Sequence, residues 1–102
     1  MHEIVWSEKA VADFEAVHVR HQRAIRVAID ELRHQASAPP TARRKPVEAP
    51  LDELPHGAWE LRIGDFRVFY SIDEAALTVT VLRVIFKGRW TTEAALRKSR
   101  RS

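Results

Sequence analysis

The N-terminal part of the chain combines a short strand pattern with a long helical one. Ile4 and Trp6 face one side of a predicted strand over residues 1–6, and Ser7 is a suitable N-cap for a following helix. Apolar residues then recur at three- and four-residue spacing over residues 11–32. This spacing predicts an amphipathic helical stripe that packs against a core.

The helical stripe has one weak point and one clear end. The β-branched, histidine-rich stretch at 17–21 predicts a break into two helices. Pro39 and Pro40 lack a backbone N–H and restrict the residues before them, so the helix has to end by Ser37. Residues 37–57, which hold all five prolines, predict a long loop.

A β-hairpin closed at Gly64-Asp65 is the clearest pattern in the sequence. Glycine at the first central position suits a type II′ turn, which needs a positive φ there. A two-residue turn also fixes the register of the two strands, and with it the face on which each side chain lies. The predicted opposite pairs on one face are Ile63 and Phe66, Leu61 and Val68, and Trp59 and Tyr70, with Arg62 and Arg67, and Glu60 and Phe69, on the other.

A further strand is predicted over residues 77–86. Apolar side chains occur on both of its faces, which is typical of a central strand. We expect Leu82, Val84 and Phe86 to face the core and Arg83, Ile85 and Lys87 to share the opposite face. Thr91 or Thr92 can cap a short C-terminal helix that runs to Leu96.

Composition limits the possible classes of protein. A chain of 102 residues with 45% hydrophobic residues is expected to form one domain over residues 1–102. The sequence has no long apolar run and no secretory signal, and it contains no cysteine, so we expect a cytoplasmic protein without disulfides. The spacing His18-x-x-His21 has no suitable further ligands, and we therefore predict neither a metal nor another cofactor.

Charge is concentrated in the second half of the chain. Residues 1–40 have a net charge of −1, residues 41–102 have +4, and a basic tail occupies about 97–102. The predicted register brings cations together on the face away from the core, namely Arg62, Arg67, Arg83 and Lys87, beside an exposed Phe69 and a basic loop of Arg43, Arg44 and Lys45. Guanidinium groups beside an aromatic ring suit phosphates and a stacked base. The alternative is that these side chains extend into water.

The segment from Trp59 to Arg89, above all Leu61–Asp73 (LRIGDFRVFYSID), resembles the RelE/ParE superfamily of type II toxin–antitoxin toxins. This resemblance implies an α+β fold in which two N-terminal helices pack on one face of a mainly antiparallel four-stranded sheet, with a short C-terminal helix. It also implies a cognate antitoxin as partner.

For function, the resemblance implies two branches. RelE-like members cleave mRNA on the ribosome through attack of the 2′-OH on the adjacent phosphate, without a metal, and ParE-like members inhibit DNA gyrase. On the ribonuclease branch, the catalytic candidates are Arg67, Lys87 and Lys45, and the candidates for nucleic-acid binding are Arg43, Arg44, Arg62, Phe69, Arg83, Arg89 and Trp90.

One departure from the ribonuclease pattern keeps the second branch open. Many ribonuclease members carry a tyrosine or histidine shortly after the last strand, whereas this chain has Trp90. An indole ring can stack on a base but cannot transfer a proton. We favour the metal-independent endoribonuclease, with a gyrase inhibitor or a non-catalytic binding toxin of the same fold as the alternative.

Overall fold

The computed structural model describes residues 1–48, 54–88 and 94–97. The elements are, in chain order, β1 (Glu3–Trp6), α1 (Glu8–Ala16), α2 (Val19–Gln35), β2 (Arg44–Pro46), β3 (Trp59–Ile63), β4 (Phe66–Asp73) and β5 (Thr78–Phe86). Residues 94–97 are also helical. The strands form one sheet in the order β1-β5-β4-β3-β2, and all neighbours are antiparallel except β1 and β5. The predicted α+β class is therefore confirmed.

Strand β2 is an addition to the predicted four-stranded sheet. It lies inside the segment 37–57 that the sequence pattern assigns to a loop, and it pairs with β3 at the sheet edge. Three residues that include Pro46 give no alternating pattern to detect, and proline is tolerated in a strand mainly at an edge. The fifth strand is thus formed by its pairing with β3 rather than by local sequence preference.

The N-terminal helices begin and break where the sequence predicts. The Ser7 hydroxyl accepts a hydrogen bond from the backbone N–H of Ala10 at 3.1 Å and so caps α1. The chain is extended at Val17 and His18, where α1 ends and α2 begins. None of the helices in the described segments is both long enough and apolar enough to cross a bilayer.

The β3–β4 hairpin has the predicted register at all five pairs. Gly64 adopts a φ of 56°, as the first central position of a type II′ turn requires. One face of the hairpin packs against the helices, with Leu61 and Val68 directly opposite each other in the core. The helices contribute Ala10 from α1 and Ile25, Ile29 and Leu32 from α2 to the same core.

A β-bulge in β5 changes the expected faces of that strand. Phe69 pairs with Arg83 and Tyr70 pairs with Val81, which leaves Leu82 as an extra residue. Leu82 consequently packs with Phe69 rather than in the helix-side core, and the prediction for it was wrong. Phe86 does lie opposite Phe66, but it is 59% exposed instead of buried.

An ion pair fastens α1 to β5 just beyond this bulge. The Asp13 carboxylate accepts from Nε of Arg83 at 2.7 Å, from Nη2 of Arg83 at 3.1 Å, and from the backbone N–H of Val84 at 2.9 Å. Both side chains are largely buried. An acidic residue between apolar positions of an amphipathic helix is expected on its solvated face, but Asp13 is not, because β1 pairs only with residues 78–81 and leaves this part of the edge of β5 to α1.

We predict that Asp13→Asn destabilises the fold by about 3 kcal/mol, because it removes the carboxylate charge that lies against the buried Arg83 guanidinium. Urea unfolding of both proteins measures the difference. Asp30→Asn is the matched control, since Asp30 pairs with Arg33 on the exposed side of α2 and contributes at most about 0.5 kcal/mol. Equal losses in the two variants would contradict a special role for Asp13.

Candidate nucleic-acid interface

The sheet face away from the long helices is divided into an apolar half and a basic half. Phe69 and Ile85 are buried in the apolar half under Ala95 and Leu96 of the C-terminal helical residues. Phe69 is 0% exposed, so the prediction that it offers a ring to a base was wrong. The physical reason is that the short C-terminal helical segment covers this ring, which strand parity alone does not show.

The basic half contains a small open pocket of about 200 Å³, called here the basic pocket. It is lined by Ala42, Arg43, Lys45, Glu60, Arg62, Arg67 and Lys87. These residues come from β2 and the two residues before it, from β3 and β4, and from the residue after β5, and the sheet order and register place these segments side by side. Three of the four cations assigned to one surface by the sequence are thus brought together, and the loop cations Arg43 and Lys45 join them.

Arg67 forms the buried floor of the basic pocket. Its Nε lies 3.1 Å from Oε1 of Glu60, and its Nη1 donates to the carbonyls of Gly64 and Phe66, each at 2.8 Å. Burial lowers the pKa of Arg67, and the neighbouring Arg62 charge lowers it further, while Glu60 opposes both effects. Arginine remains protonated at physiological pH, so the floor carries a fixed positive charge.

These contacts change the expected effect of replacing Arg67 on the stability of the fold. From the sequence alone, removing one of two opposed arginines is expected to relieve repulsion and to spare the fold. In the structure Arg67 is 6% exposed and holds the hairpin turn through Gly64. Its loss leaves Glu60 and a turn carbonyl without these contacts, so Arg67 supports the pocket as well as charging it.

The other cations of the pocket are available to a ligand. Within the described segments, the side chains of Arg43, Lys45, Arg62 and Lys87 make neither a hydrogen bond nor an ion pair. The opposition of Arg62 and Arg67 across the ladder is only partly neutralised, because Glu60 engages Arg67. Several like charges around one pocket favour the binding of an anion.

Glu60 is the functional candidate that sequence reasoning missed. The site residues predicted from the sequence do not include it, yet it is the only carboxylate among the described residues that line the basic pocket. The hairpin register could have identified Glu60, because Glu60 and Arg62 share the face of β3 that points away from the helices. A carboxylate held among cations can act as a proton acceptor.

Two predicted nucleic-acid ligands are engaged elsewhere in the fold. Arg83 is 6% exposed and pairs with Asp13, and Arg44 is 3% exposed on the opposite side of β2 from the basic pocket. Arg89 and Trp90 lie outside the described residues, as do most of the basic tail and the predicted caps Thr91 and Thr92. In the described part of the chain, no three His, Asp or Glu side chains are grouped to hold a metal ion.

Arg44 lies in a buried aromatic and polar cluster beneath β2. Its guanidinium carbon is 5.1 Å from the centre of the Trp59 ring, and Trp59 stacks on Tyr70 at 6.3 Å. Among described residues, neither Nη1 of Arg44 nor the Tyr70 hydroxyl has a hydrogen-bond partner of good geometry. Burial raises the pKa of Tyr70 to about 12, although the Arg44 charge acts in the opposite direction.

A second and larger groove lies between α2 and β3. Its floor contains apolar residues, including Ala28, Leu61 and the half-exposed Val27. The charged residues that line it are Arg20, Arg23, Arg43, Arg62 and the buried Arg44, with Glu31 and Asp65. Arg43 and Arg62 also line the basic pocket, so the two depressions are continuous.

A family model identifies what kind of protein carries this pocket. The model described as "ParE toxin of type II toxin-antitoxin system, parDE" matches residues 4–89, which include α1, α2, the basic pocket and the whole sheet except Glu3. The chain belongs to this toxin family. The resemblance to the RelE/ParE superfamily is thereby confirmed. Among curated proteins, none matches the sequence.

Solved structures of toxin–antitoxin proteins share the fold. A chain of the toxin–antitoxin complex RelBE2 from Mycobacterium tuberculosis is similar to this chain, with 27% identity and a TM-score of 0.63, over 81% of this chain and 87% of that chain. The RelE–RelB complex from Pyrococcus horikoshii matches with a TM-score of 0.68 at 19% identity, over 86% and 97% of the two chains. The YoeB/ParE toxin from Agrobacterium tumefaciens matches with a TM-score of 0.65 at 18% identity, over 82% and 96%. At 19% and 18% identity, the last two matches show a shared fold.

We predict that the toxin's only tyrosine titrates at about pH 12. Because folding raises the pKa of Tyr70 from its ordinary value of 10.0, its protonated hydroxyl contributes fully to the free energy of unfolding below pH 10. This contribution is lost as the pH rises toward 12. The contribution amounts to about 2–3 kcal/mol. Ultraviolet absorbance of tyrosinate follows the ionisation directly, and Tyr70→Phe removes this part of the alkaline loss of stability. Ionisation near pH 10 in the folded protein would contradict burial of the hydroxyl.

Proposed function

We propose that this toxin inhibits translation by cleaving mRNA on the ribosome without a metal ion. The observation that carries the proposal is the convergence of Arg62, Arg67 and Lys87 from three strands around Glu60, with Arg43 and Lys45 at the rim. A pocket of this charge and size suits one backbone phosphate and the groups next to it.

The RNA and the protein together supply every atom that the proposed reaction needs. The ribose 2′-oxygen bonds to the adjacent phosphorus while the bond from phosphorus to the 5′-oxygen of the next nucleotide breaks. Glu60 is placed to accept the 2′-OH proton, and Lys45 or Lys87 to donate a proton to the departing oxygen. The products are a 2′,3′-cyclic phosphate and a free 5′-OH.

The positive charges stabilise the phosphorane in which negative charge accumulates on the phosphate oxygens. Lys45, Arg62 and Lys87 are accessible for direct contact, whereas buried Arg67 contributes a fixed charge from the floor. Charges held in position before the reaction are effective because they need no reorganisation as the transition state forms. This assigns phosphate binding to the accessible cations and positioning of Glu60 to Arg67.

The second candidate function is inhibition of DNA gyrase. The match to the ParE family favours it, as does the fact that the described residues lining the basic pocket include no tyrosine and no histidine. The two candidates differ in their target, so purified toxin can be tested against each. Codon-dependent cuts in ribosome-bound mRNA support the first, and loss of gyrase supercoiling without such cuts supports the second.

We also propose a cognate antitoxin as partner and the cytoplasm as the site of action. Several similar structures are toxin–antitoxin complexes, and the groove between α2 and β3 suits an acidic amphipathic segment. An acidic side chain that binds Arg43 or Arg62 in the groove also neutralises the basic pocket, because these residues line both. The ribosome and mRNA are the proposed targets.

We expect Lys87→Met to lower the rate of mRNA cleavage by about 10²–10³-fold, the usual loss on removing one preorganised donor to a transition-state anion. Its ammonium has no partner among the described residues, so stability should not fall. Lys9→Met is the matched control, because Lys9 lies on α1, lines none of these depressions and carries the same charge. Cleavage by the Lys87 variant at the wild-type rate would contradict the proposed active site.

Expression of the toxin alone should slow growth, and coexpression with the protein encoded beside it should restore growth. Val27→Asp places a carboxylate on the apolar floor of the groove, so the variant should stay toxic but escape the antitoxin. Val19→Asp on the same helix is the control, because Val19 is 73% exposed and does not line the groove. If both variants are rescued like the wild type, the antitoxin binds elsewhere.

A further inference from the structure

We propose that Arg44 is a positioning residue that holds the short strand β2 so that Arg43 and Lys45 face the basic pocket. The inference rests on the proposed function in that it takes RNA as the ligand of this pocket. Arg44 does not touch the ligand site itself, since its side chain lies on the other side of β2.

The three consecutive cations of this segment have different exposures. Arg43 and Lys45 are exposed and line the basic pocket, whereas Arg44 is 3% exposed and lies opposite Leu61. Arg43 directly precedes β2, and its carbonyl accepts from the N–H of Arg62, so the pairing with β3 continues to it. Alternation of side chains along paired backbone makes these placements interdependent. If the face of Arg44 changes, the faces of both neighbours change with it.

The buried guanidinium is fixed by backbone carbonyls rather than by an acid. Nη2 of Arg44 donates to the carbonyl of Ala38 at 2.9 Å and to that of Pro39 at 2.7 Å. The adjacent prolines cannot donate backbone hydrogen bonds, so this part of the chain has few other means of attachment. The side chain thus joins the segment after α2 to β2, and the Trp59 ring supports the charge from beneath.

Apart from the Arg44 side chain, strand β2 is held mainly by backbone hydrogen bonds to β3 and to its own flanking residues. It is an edge strand of three residues that ends in Pro46, and it pairs only with β3. Beyond this pairing, the carbonyl of Arg43 accepts from the backbone N–H of Arg62 at 2.7 Å, and the N–H of Val47 donates to the carbonyl of Ala58 at 2.9 Å. Thr41 and Arg44 also exchange backbone hydrogen bonds at 2.7 and 3.3 Å, but these are local to the segment and do not join it to the sheet. The cations that it carries also lie beside Arg62 and Arg67, and repulsion among them favours movement of the strand away from β3. The Arg44 contacts oppose this movement.

The test compares Arg44→Gln with Arg83→Gln. Both variants lose one buried arginine and one positive charge, but Arg83 fastens α1 to β5 away from the basic pocket. The affinity of each folded protein for a single-stranded RNA oligonucleotide and for inorganic polyphosphate is measured at several salt concentrations. Circular dichroism defines a temperature at which all the proteins are folded.

Loss of the two rim contacts should lower the slope of log affinity against log salt by about 1.4 for RNA in Arg44→Gln, since each phosphate contact on a single strand contributes about 0.7. The slope for Arg83→Gln should equal that of the wild type. Arg44→Lys keeps the charge but not the planar donor group, and its slope should lie between the two. If Arg44→Gln does not fold, Arg44→Lys is compared with Arg83→Lys in the same way.

Each outcome decides the question. Equal slopes for the Arg44 and Arg83 variants, or an unchanged slope for Arg44→Gln, overturn the positioning role. Binding of polyphosphate but not RNA by the wild type counts against the proposed function, while the polyphosphate slopes still judge the role of Arg44. A wild type that binds neither probe overturns both proposals.

Discussion

The two-residue turn at Gly64-Asp65 is the constraint on which the rest of the structure depends. The turn sets the pairing of β3 with β4, and a shift of one residue would send every side chain of a strand to the opposite face. With the observed register, Leu61 and Val68 meet the helices while Glu60, Arg62 and Arg67 gather on the other side. The core and the basic pocket are therefore two results of one turn.

Local chemistry determined the parts of the fold that the sequence could predict. The Ser7 cap, the break at Val17 and the hairpin register depend on residues close together in the chain, whose preferences act directly on the backbone. Strand β2 and the bulge at Leu82 depend on strands that meet from far apart. No local pattern reports such encounters, and the bulge in turn altered which side chains of β5 share a face.

The candidate site was predictable to the extent that it follows from the hairpin. Arg62 and Arg67 were correctly placed together because the turn fixes their pairing, whereas Arg83 and Phe69 were not available as expected. Both depend on elements that approach in three dimensions, Asp13 from α1 and Leu96 from the C-terminal helical residues. Parity along a strand gives the face of a side chain but not what covers that face.

Three buried arginines show three ways of keeping a charge inside a small fold. Arg83 is paired with a carboxylate that also binds the backbone, Arg67 shares a carboxylate with the pocket, and Arg44 relies on carbonyls and an indole ring. An unpaired buried charge is costly, so each arrangement ties the arginine to a particular neighbour. In this toxin the contacts of the three arginines connect α1, the hairpin turn and β2 to the sheet.

The parallel pairing of β1 with β5 has a consequence for the synthesis of the toxin. Contacts that close this edge of the sheet join residues separated by 70 to 75 positions, such as Asp13 with Arg83 and Ser7 with Leu82. Assembly of distant partners is slow, and it requires the later strand to have left the ribosomal exit tunnel. A nascent chain that ends before β5 has neither its first strand in the sheet nor Lys87 in the pocket. The toxin thus acquires its complete surface only after nearly all of its folded domain has been made.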